Sequence, residues 1–148
     1  MFDYTQEKRP KYWHSNSKGL FKKASYIYGL YEVGQRIVDN GYTVIVEGNF
    51  DVLALWEAGV PAIATQSSFV TDHQAFLISQ HTNKVITWFD NDDSGISATK
   101  KSQEVFLKWG IRPEQVEVKT QKDPADVLAQ YGPKHLREII EPVTLTKR

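Results

Sequence analysis

An α/β fold, with a four-stranded, mainly parallel sheet flanked by helices, is what this 148-residue sequence predicts. Three observations predict it. Short apolar, β-branched runs at 42–46 and 84–89 alternate with stretches of helical period. After residue 41 the strand-then-helix order repeats four times with short connections, the pattern of a parallel sheet with right-handed crossovers. Acidic groups close these runs or follow them: Glu47-Gly48, Asp90-Asn91-Asp92 and Asp123-Pro124-Ala125-Asp126.

The elements follow in order. Residues 1–24 are polar, basic and aromatic, and Gly19-Leu20-Phe21 reads as a short strand. Ser25 is a plausible cap for a helix carrying Tyr26, Leu30, Val33 and Ile37, which stops at Asn40-Gly41. Strand 42–46 precedes a helix over 49–58, ended by Gly59. Residues 61–64 form a short buried strand. Thr71 caps a helix through Ser79, strand 84–89 follows, and a longer helix over 94–109 ends at Gly110. A strand at 115–119 precedes a helix opened by Pro124, since proline suits the first turn. Gly132-Pro133 breaks it, and a final helix runs to about Glu141.

Composition narrows the class. Hydrophobic content of 41% is that of an ordinary globular chain. No apolar run reaches membrane-spanning length, so no membrane partner is expected. The first residues lack the apolar core of a signal peptide, which fits a cytoplasmic location. Without cysteine the chain has no disulfide, thiolate zinc site or cysteine nucleophile. Eighteen basic and eighteen acidic side chains cancel, but unevenly. Residues 1–25 hold six basic side chains against Asp3 and Glu7, which leaves the remainder acidic. A basic leading arm on an acidic body suits a polyanionic partner, and equally describes a solvated tail.

The acidic groups carry the chemistry. In a parallel sheet the carboxyl ends of the strands share one edge, and ligands bind there. Carboxylates gathered at that edge repel one another unless a cation neutralises them. Hard oxygen donors suit Mg²⁺ or Mn²⁺, and such ions serve reactions at phosphate. Glu47 ends a strand, and Gly48 permits a tight turn. Asp51, four residues on, shares the face of Glu47 or simply favours the helix N-terminus. Asp90 and Asp92 share a face of extended chain. Asp123 caps a helix, with Asp126 in its first turn. Asp90-x-Asp92-x-Ser94-Gly95 imitates an EF-hand start, but Lys101 stands where the closing Glu belongs. His14, His73, His81 and His135 have no ligand spacing, and the last three read as surface residues. Trp56, Trp88 and Trp109 lie on apolar periods and read as core.

As a set, Glu47-Gly48…Asp90-x-Asp92…Asp123 resembles the TOPRIM domain shared by primases, topoisomerases and some nucleases. Three segments narrow the resemblance to bacterial and phage DnaG-type primases. Glu47-Gly48-Asn49-Phe50-Asp51-Val52-Leu53-Ala54-Leu55 is similar to the primase Glu-Gly-x-x-Asp-Val-x-Ala-Leu segment. Phe89-Asp90-Asn91-Asp92-Asp93-Ser94-Gly95 is similar to Phe-Asp-Gly-Asp-x-Ala-Gly, and Lys122-Asp123-Pro124 to Lys-Asp-Pro. Pro10-Lys11-Tyr12-x-x-Ser15, Leu20-Phe21-Lys22-Lys23 and Tyr28-Gly29-Leu30 resemble the primase run that precedes this domain. On this basis residues 1–41 are an arm and linking helix, 42–131 the TOPRIM domain, and 132–148 a C-terminal helix and tail.

The resemblance implies primase-type, Mg²⁺-dependent (or Mn²⁺-dependent) nucleotidyl transfer that makes RNA primers on single-stranded DNA from NTPs. Carried over by position, Glu47, Asp90 and Asp92 would be catalytic, and Glu47, Asp51, Asp90, Asp92, Asp123 and Asp126 would form the metal cluster. Lys11, Lys22 and Lys23 would hold nucleotide or nucleic-acid phosphates. His14, Asn91 and Ser67-Ser68 depart from the family's Asn, Gly and Gly-Thr, and Asp-Pro-Ala-Asp departs from Asp-Pro-Asp. The zinc-binding and template-binding parts of such a primase are not expected within these residues. The expectation is therefore a split, phage-like primase, a fragment or a degenerate paralogue, in a bacterial or phage-infected cytoplasm. Its expected partners are a separate subunit supplying those parts and a replicative helicase. The alternatives are a TOPRIM metal-dependent nuclease and a non-catalytic module that binds nucleotide or nucleic acid.

Overall fold

The computed structural model describes residues 23–67, 69–89, 93–116 and 122–145. Four strands, β1 (Thr43–Val46), β2 (Ala62–Ala64), β3 (Lys84–Thr87) and β4 (Arg112–Gln115), pair in the order β2-β1-β3-β4. Every pairing is parallel: Ile45 faces Ile63 on one side and Thr87 on the other, and Val85 faces Pro113. The helices are α1 (Leu30–Asn40), α2 (Asn49–Glu57), α3 (Asp72–Ser79), α4 (Asp93–Lys108) and α5 (Pro124–Thr144). None of the helices described is long and apolar enough to cross a membrane.

Strands covered on both faces must be apolar throughout, and β1 is buried along its whole length. Its side chains divide between two cores, as the two-residue strand period requires. Val44 and Val46 pack with Val52, Leu55, Leu136 and Ile140 from α2 and α5. Ile45 packs with Val33, Ile37, Ile78 and Phe106 from α1, α3 and α4. Burying each such aliphatic side chain contributes about 1.5–3 kcal/mol.

Local chemistry sets the boundaries. Thr71 and Gln74 form a reciprocal capping box at the start of α3, as the threonine predicts. Asp123 accepts the Asp126 N–H at 2.8 Å, and Pro124 opens α5. The expected break falls at Gly132 (φ 81°), where α5 kinks, but the helix resumes and continues to Thr144 rather than stopping near Glu141. Lys84 holds that end by donating to the carbonyls of Val143 and Thr144.

Three expectations need correction. Helix α1 starts at Leu30 and not after Ser25, which lies in a 3-10 turn over Lys23–Ser25. The intervening Tyr28 exchanges backbone hydrogen bonds with Ala64 on the outer flank of β2 (2.8 and 3.0 Å). Gly29 then turns the chain at φ 86°, where an added Cβ would stand 2.8 Å from the Trp56 ring. Strand β4 occupies 112–115, ahead of the expected 115–119, and Val116 prolongs its pairing by donating to the Thr87 carbonyl. His81 is half-buried rather than on the surface, its ring against Gly34 and its Nδ1 3.1 Å from the Leu77 carbonyl. Gly19-Leu20-Phe21 lies outside the described residues.

Candidate functional site

Because all four strands run the same way, the turn after β1, the turn after β2 and the segment after β3 emerge at one edge. Glu47 and Gly48 leave β1 there, and both are half-buried. The β1–β3 pairing continues past its last strand residues, with Trp88 N–H donating to the Ile45 carbonyl at 2.9 Å. Phe89 follows, buried, and the chain then enters Asp90 and Asp92, which lie outside the described residues.

The N-terminus of α5 is laced to this edge from two sides. The indole N–H of Trp88 donates to the Lys122 carbonyl at 3.3 Å. Asp51, in the first turn of α2, accepts the Ala125 N–H at 3.2 Å through Oδ1. The acidic turn after β1, the end of β3 and the Lys122-Asp123-Pro124 segment are therefore held together. A carboxylate on a half-buried helix-start amide satisfies a donor that has no partner within the helix, and it suits the positive end of the helix dipole. Asp51 thus favours a helix N-terminus, but it is that of α5 as well as its own.

Gly48 is explained by this contact and not by a tight turn. Its backbone is ordinary extended chain (φ −102°, ψ 148°), which any residue adopts. A Cβ there would stand 2.7 Å from Asp51 Oδ2. Glycine leaves the room in which the carboxylate sits beside the Glu47-Gly48 turn.

Among the described residues, no three His, Asp or Glu side chains gather closely enough to hold a metal ion. The donor chemistry at the edge nevertheless fits a hard divalent cation. Glu47 in the turn after β1, Asp51 in the first turn of α2 and Asp123 at the start of α5 are hard carboxylate donors on segments that meet at this edge, and one oxygen of Asp51 and one of Asp123 are bonded to α5. Asp126 stands exposed in the first turn of α5.

The basic arm is described only at its end. Lys11 and Lys22 lie outside the described residues, as does the side chain of Lys23, which opens the 3-10 turn. Thr71 Oγ1 donates to the Ala24 carbonyl at 2.6 Å. The buried Gln74 amide donates to the carbonyls of Tyr26 and Thr65. The arm thus joins the body beside the β2–α3 turn.

That turn holds a feature the residue types did not announce. Gln66 follows β2 with φ 55°, in the left-handed region that side chains rarely adopt. Its Nε2 donates to Asn49 Oδ1 at 3.2 Å, two residues after Glu47. Its Oε1 is buried and has no hydrogen-bond partner among the described residues. Each of these two departures costs about 1–3 kcal/mol.

Comparison with known proteins agrees with this architecture. The Toprim-like family matches residues 44–128, more than half of the chain. The chain belongs to that family. Within it the TOPRIM domain is of the kind found in DnaG-type primases. The chain is 34% identical over 136 residues to a DNA primase of Aquifex aeolicus, covering 91% of this chain and 27% of that protein. A crystal structure of the Aquifex aeolicus primase zinc-binding and RNA polymerase domains superposes with a TM-score of 0.80 at 33% identity, covering 94% of this chain and 35% of the other. A DnaG primase catalytic domain bound to single-stranded DNA gives a TM-score of 0.76 at 28% identity, covering 91% and 44%. The chain spans about a quarter of the length of the curated relatives it matches.

Proposed function

We propose that this TOPRIM domain supplies the metal- and nucleotide-binding half of a primase centre, a DNA-directed RNA polymerase that makes primers on single-stranded DNA during replication. The observation that carries the reading is the lacing of the β1 turn, the β3 end and the α5 start through Asp51–Ala125 and Trp88–Lys122.

Glu47, Asp90 and Asp92 form the heart of the acidic set in this proposal, and Asp51, Asp123 and Asp126 complete it. A bound Mg²⁺ or Mn²⁺ would lower the pKa of the attacking 3′-hydroxyl and offset the charge of the leaving pyrophosphate. The chain's own contribution is positional. Asp51 and Asp123 keep the edge in shape by their bonds to α5, so little reorganisation is needed when substrate arrives. Lys11, Lys22 and Lys23, on an arm that joins the body beside the β2–α3 turn, hold the phosphates of nucleotide or template. A separate chain with zinc-binding and template-binding parts, and a replicative helicase, are the proposed partners of a phage-like or split enzyme.

The test is Mg²⁺-dependent RNA synthesis from NTPs on single-stranded DNA, with binding of ATP followed in parallel by calorimetry. Wild-type chain is expected to bind ATP with Mg²⁺ and, alone or with the partner chain, to extend primers. Asp90→Asn is expected to abolish synthesis. Full synthesis by Asp90→Asn would sink the proposal, and shortening of the DNA with Mn²⁺ would replace it with a nuclease.

A further inference from the structure

We infer that Gln74 is a positioning residue for the proposed nucleotide site: its buried side-chain amide fixes the lysine-bearing arm in place relative to the acidic edge. The inference rests on the proposed nucleotide site and deepens it. Gln74 itself touches no substrate and acts through the segments it joins.

A capping box needs only one acceptor oxygen from its third helical residue, and Glu serves there as well as Gln. Gln74 meets that need with Oε1, which accepts the Thr71 N–H at 3.0 Å. Its Nε2 goes further. It donates to the Tyr26 carbonyl at 2.7 Å and to the Thr65 carbonyl at 3.3 Å. A carboxylate has no proton to give either carbonyl, so glutamine is required over glutamate by what lies beyond the cap. The side chain is fully buried, where an amide is costly unless both of its ends are bonded.

The two carbonyls belong to segments that the proposed chemistry must hold together. Tyr26 follows closely on Lys23, and Ala24 between them is tied as well, its carbonyl accepting from Thr71 Oγ1 at 2.6 Å. Both ties come from the start of α3, so the chain just after the lysines is fastened twice. Thr65 follows β2, and its own N–H donates at 3.3 Å to the carbonyl of Val46, the residue before Glu47. Through Gln74 and Thr65 a line of hydrogen bonds therefore runs from the arm to the end of β1. A polyphosphate needs cations from the arm and carboxylate-held metal ions from the edge at once, and a small misplacement of either is costly. A lysine on its long flexible stem gains most from a backbone fixed close to its root.

The experiment follows two readouts in the full chain: ATP affinity in Mg²⁺ by calorimetry, and the rate of trypsin cleavage after Lys22 and Lys23. Gln74→Glu keeps the shape and the cap acceptor and loses the donor. It is expected to bind ATP roughly tenfold more weakly than wild type and to be cut at the arm at least about threefold faster. The introduced carboxyl can donate only while protonated. Its deficit relative to wild type is therefore expected to widen as pH rises from about 5 to about 8, a profile that a packing defect does not produce. Gln74→Met, of similar volume and with no donor, is expected to show the same losses without the pH trend, and it decides the matter if Gln74→Glu does not fold. The double variant Lys22→Gln/Lys23→Gln measures what the arm contributes by itself. If it weakens ATP binding while both Gln74 variants leave that binding unchanged, the inference is overturned and the nucleotide site stands. A deficit in Gln74→Glu that is equal at every pH would mark a packing role and overturn the inference equally. Failure of wild type to bind ATP, or indifference of that binding to the lysine pair, would overturn the proposed site or its arm, and this inference with it.

Discussion

Asp51 Oδ1 and the Ala125 N–H, 74 residues apart in the chain, form a 3.2 Å hydrogen bond that fastens the first turn of α2 to the first turn of α5. It is a charge-assisted bond at a half-buried position. Asp51→Ala is expected to lower unfolding free energy by about 2 kcal/mol, measured by urea denaturation. Asp51→Asn keeps an acceptor oxygen and should lose less than half as much. Equal losses in the two variants would show that the bond to Ala125 carries no weight.

Gly48→Ala forces its new methyl against Asp51 Oδ2, 2.7 Å from an ideal Cβ. Because Oδ1 is tethered, the carboxylate cannot swing away freely. The substitution should cost about 1 kcal/mol. Combined with Asp51→Ala it should cost clearly less than the sum, with a coupling of at least about 0.5 kcal/mol in a double-mutant cycle. Strict additivity would contradict the close approach.

Trp88→Phe keeps a buried aromatic ring and deletes the donor to the Lys122 carbonyl. A loss of about 2 kcal/mol is expected from the unpaired carbonyl and the smaller ring. Hydrogen exchange should quicken selectively at the start of α5. Uniform quickening across the sheet would point to a packing defect instead.

Asp72 gives stability a pH dependence of known sign. Hydrogen bonding from Lys108 (2.6 Å) holds its pKa below the ordinary carboxylate value, and the Trp109 indole N–H adds to this. A folded-state pKa below the unfolded one means that the stabilisation is present above the unfolded value, near 3.9. It fades as pH falls through the lowered folded value. Asp72→Asn should therefore flatten the acid limb of a stability–pH curve, with little effect near neutrality beyond the lost Lys108 pair. High salt should shrink the difference, since the pair is exposed.

Local chemistry was legible where one stretch of chain decides the outcome. Thr71, Pro124 and Gly59 announced helix ends because caps and breakers act on their immediate neighbours. The two apolar runs announced β1 and β3. The start of α1 was not legible, because what delays it is Tyr28 pairing with Ala64, 36 positions along the chain. Strand β4 was read too late because Arg112–Gln115 lies at the sheet margin and is at most half-buried, so it carries no apolar alternation. Of the candidate site, the placement of Glu47 just after β1 and of Asp123 at the start of α5 was legible from residue order, while Asp90 and Asp92 lie outside the described residues. The ties that organise the edge were not legible, since Asp51 and Trp88 bond to backbone groups, which every residue possesses. Gln66 had no signal in residue type beyond a polar side chain in a turn.

Both margins of the sheet, among the described residues, carry a feature that discourages a further strand. Arg112 and Val116 donate inward to β3, so the alternating pattern turns the backbone of residue 113 outward, and proline there has no N–H to offer. On the opposite margin Tyr28 already occupies Ala64. Self-templated aggregation by edge pairing is thereby discouraged at each side. An extended peptide that adds to the β4 margin would meet Pro113 where a ladder needs an N–H, so β-addition there starts one hydrogen bond short.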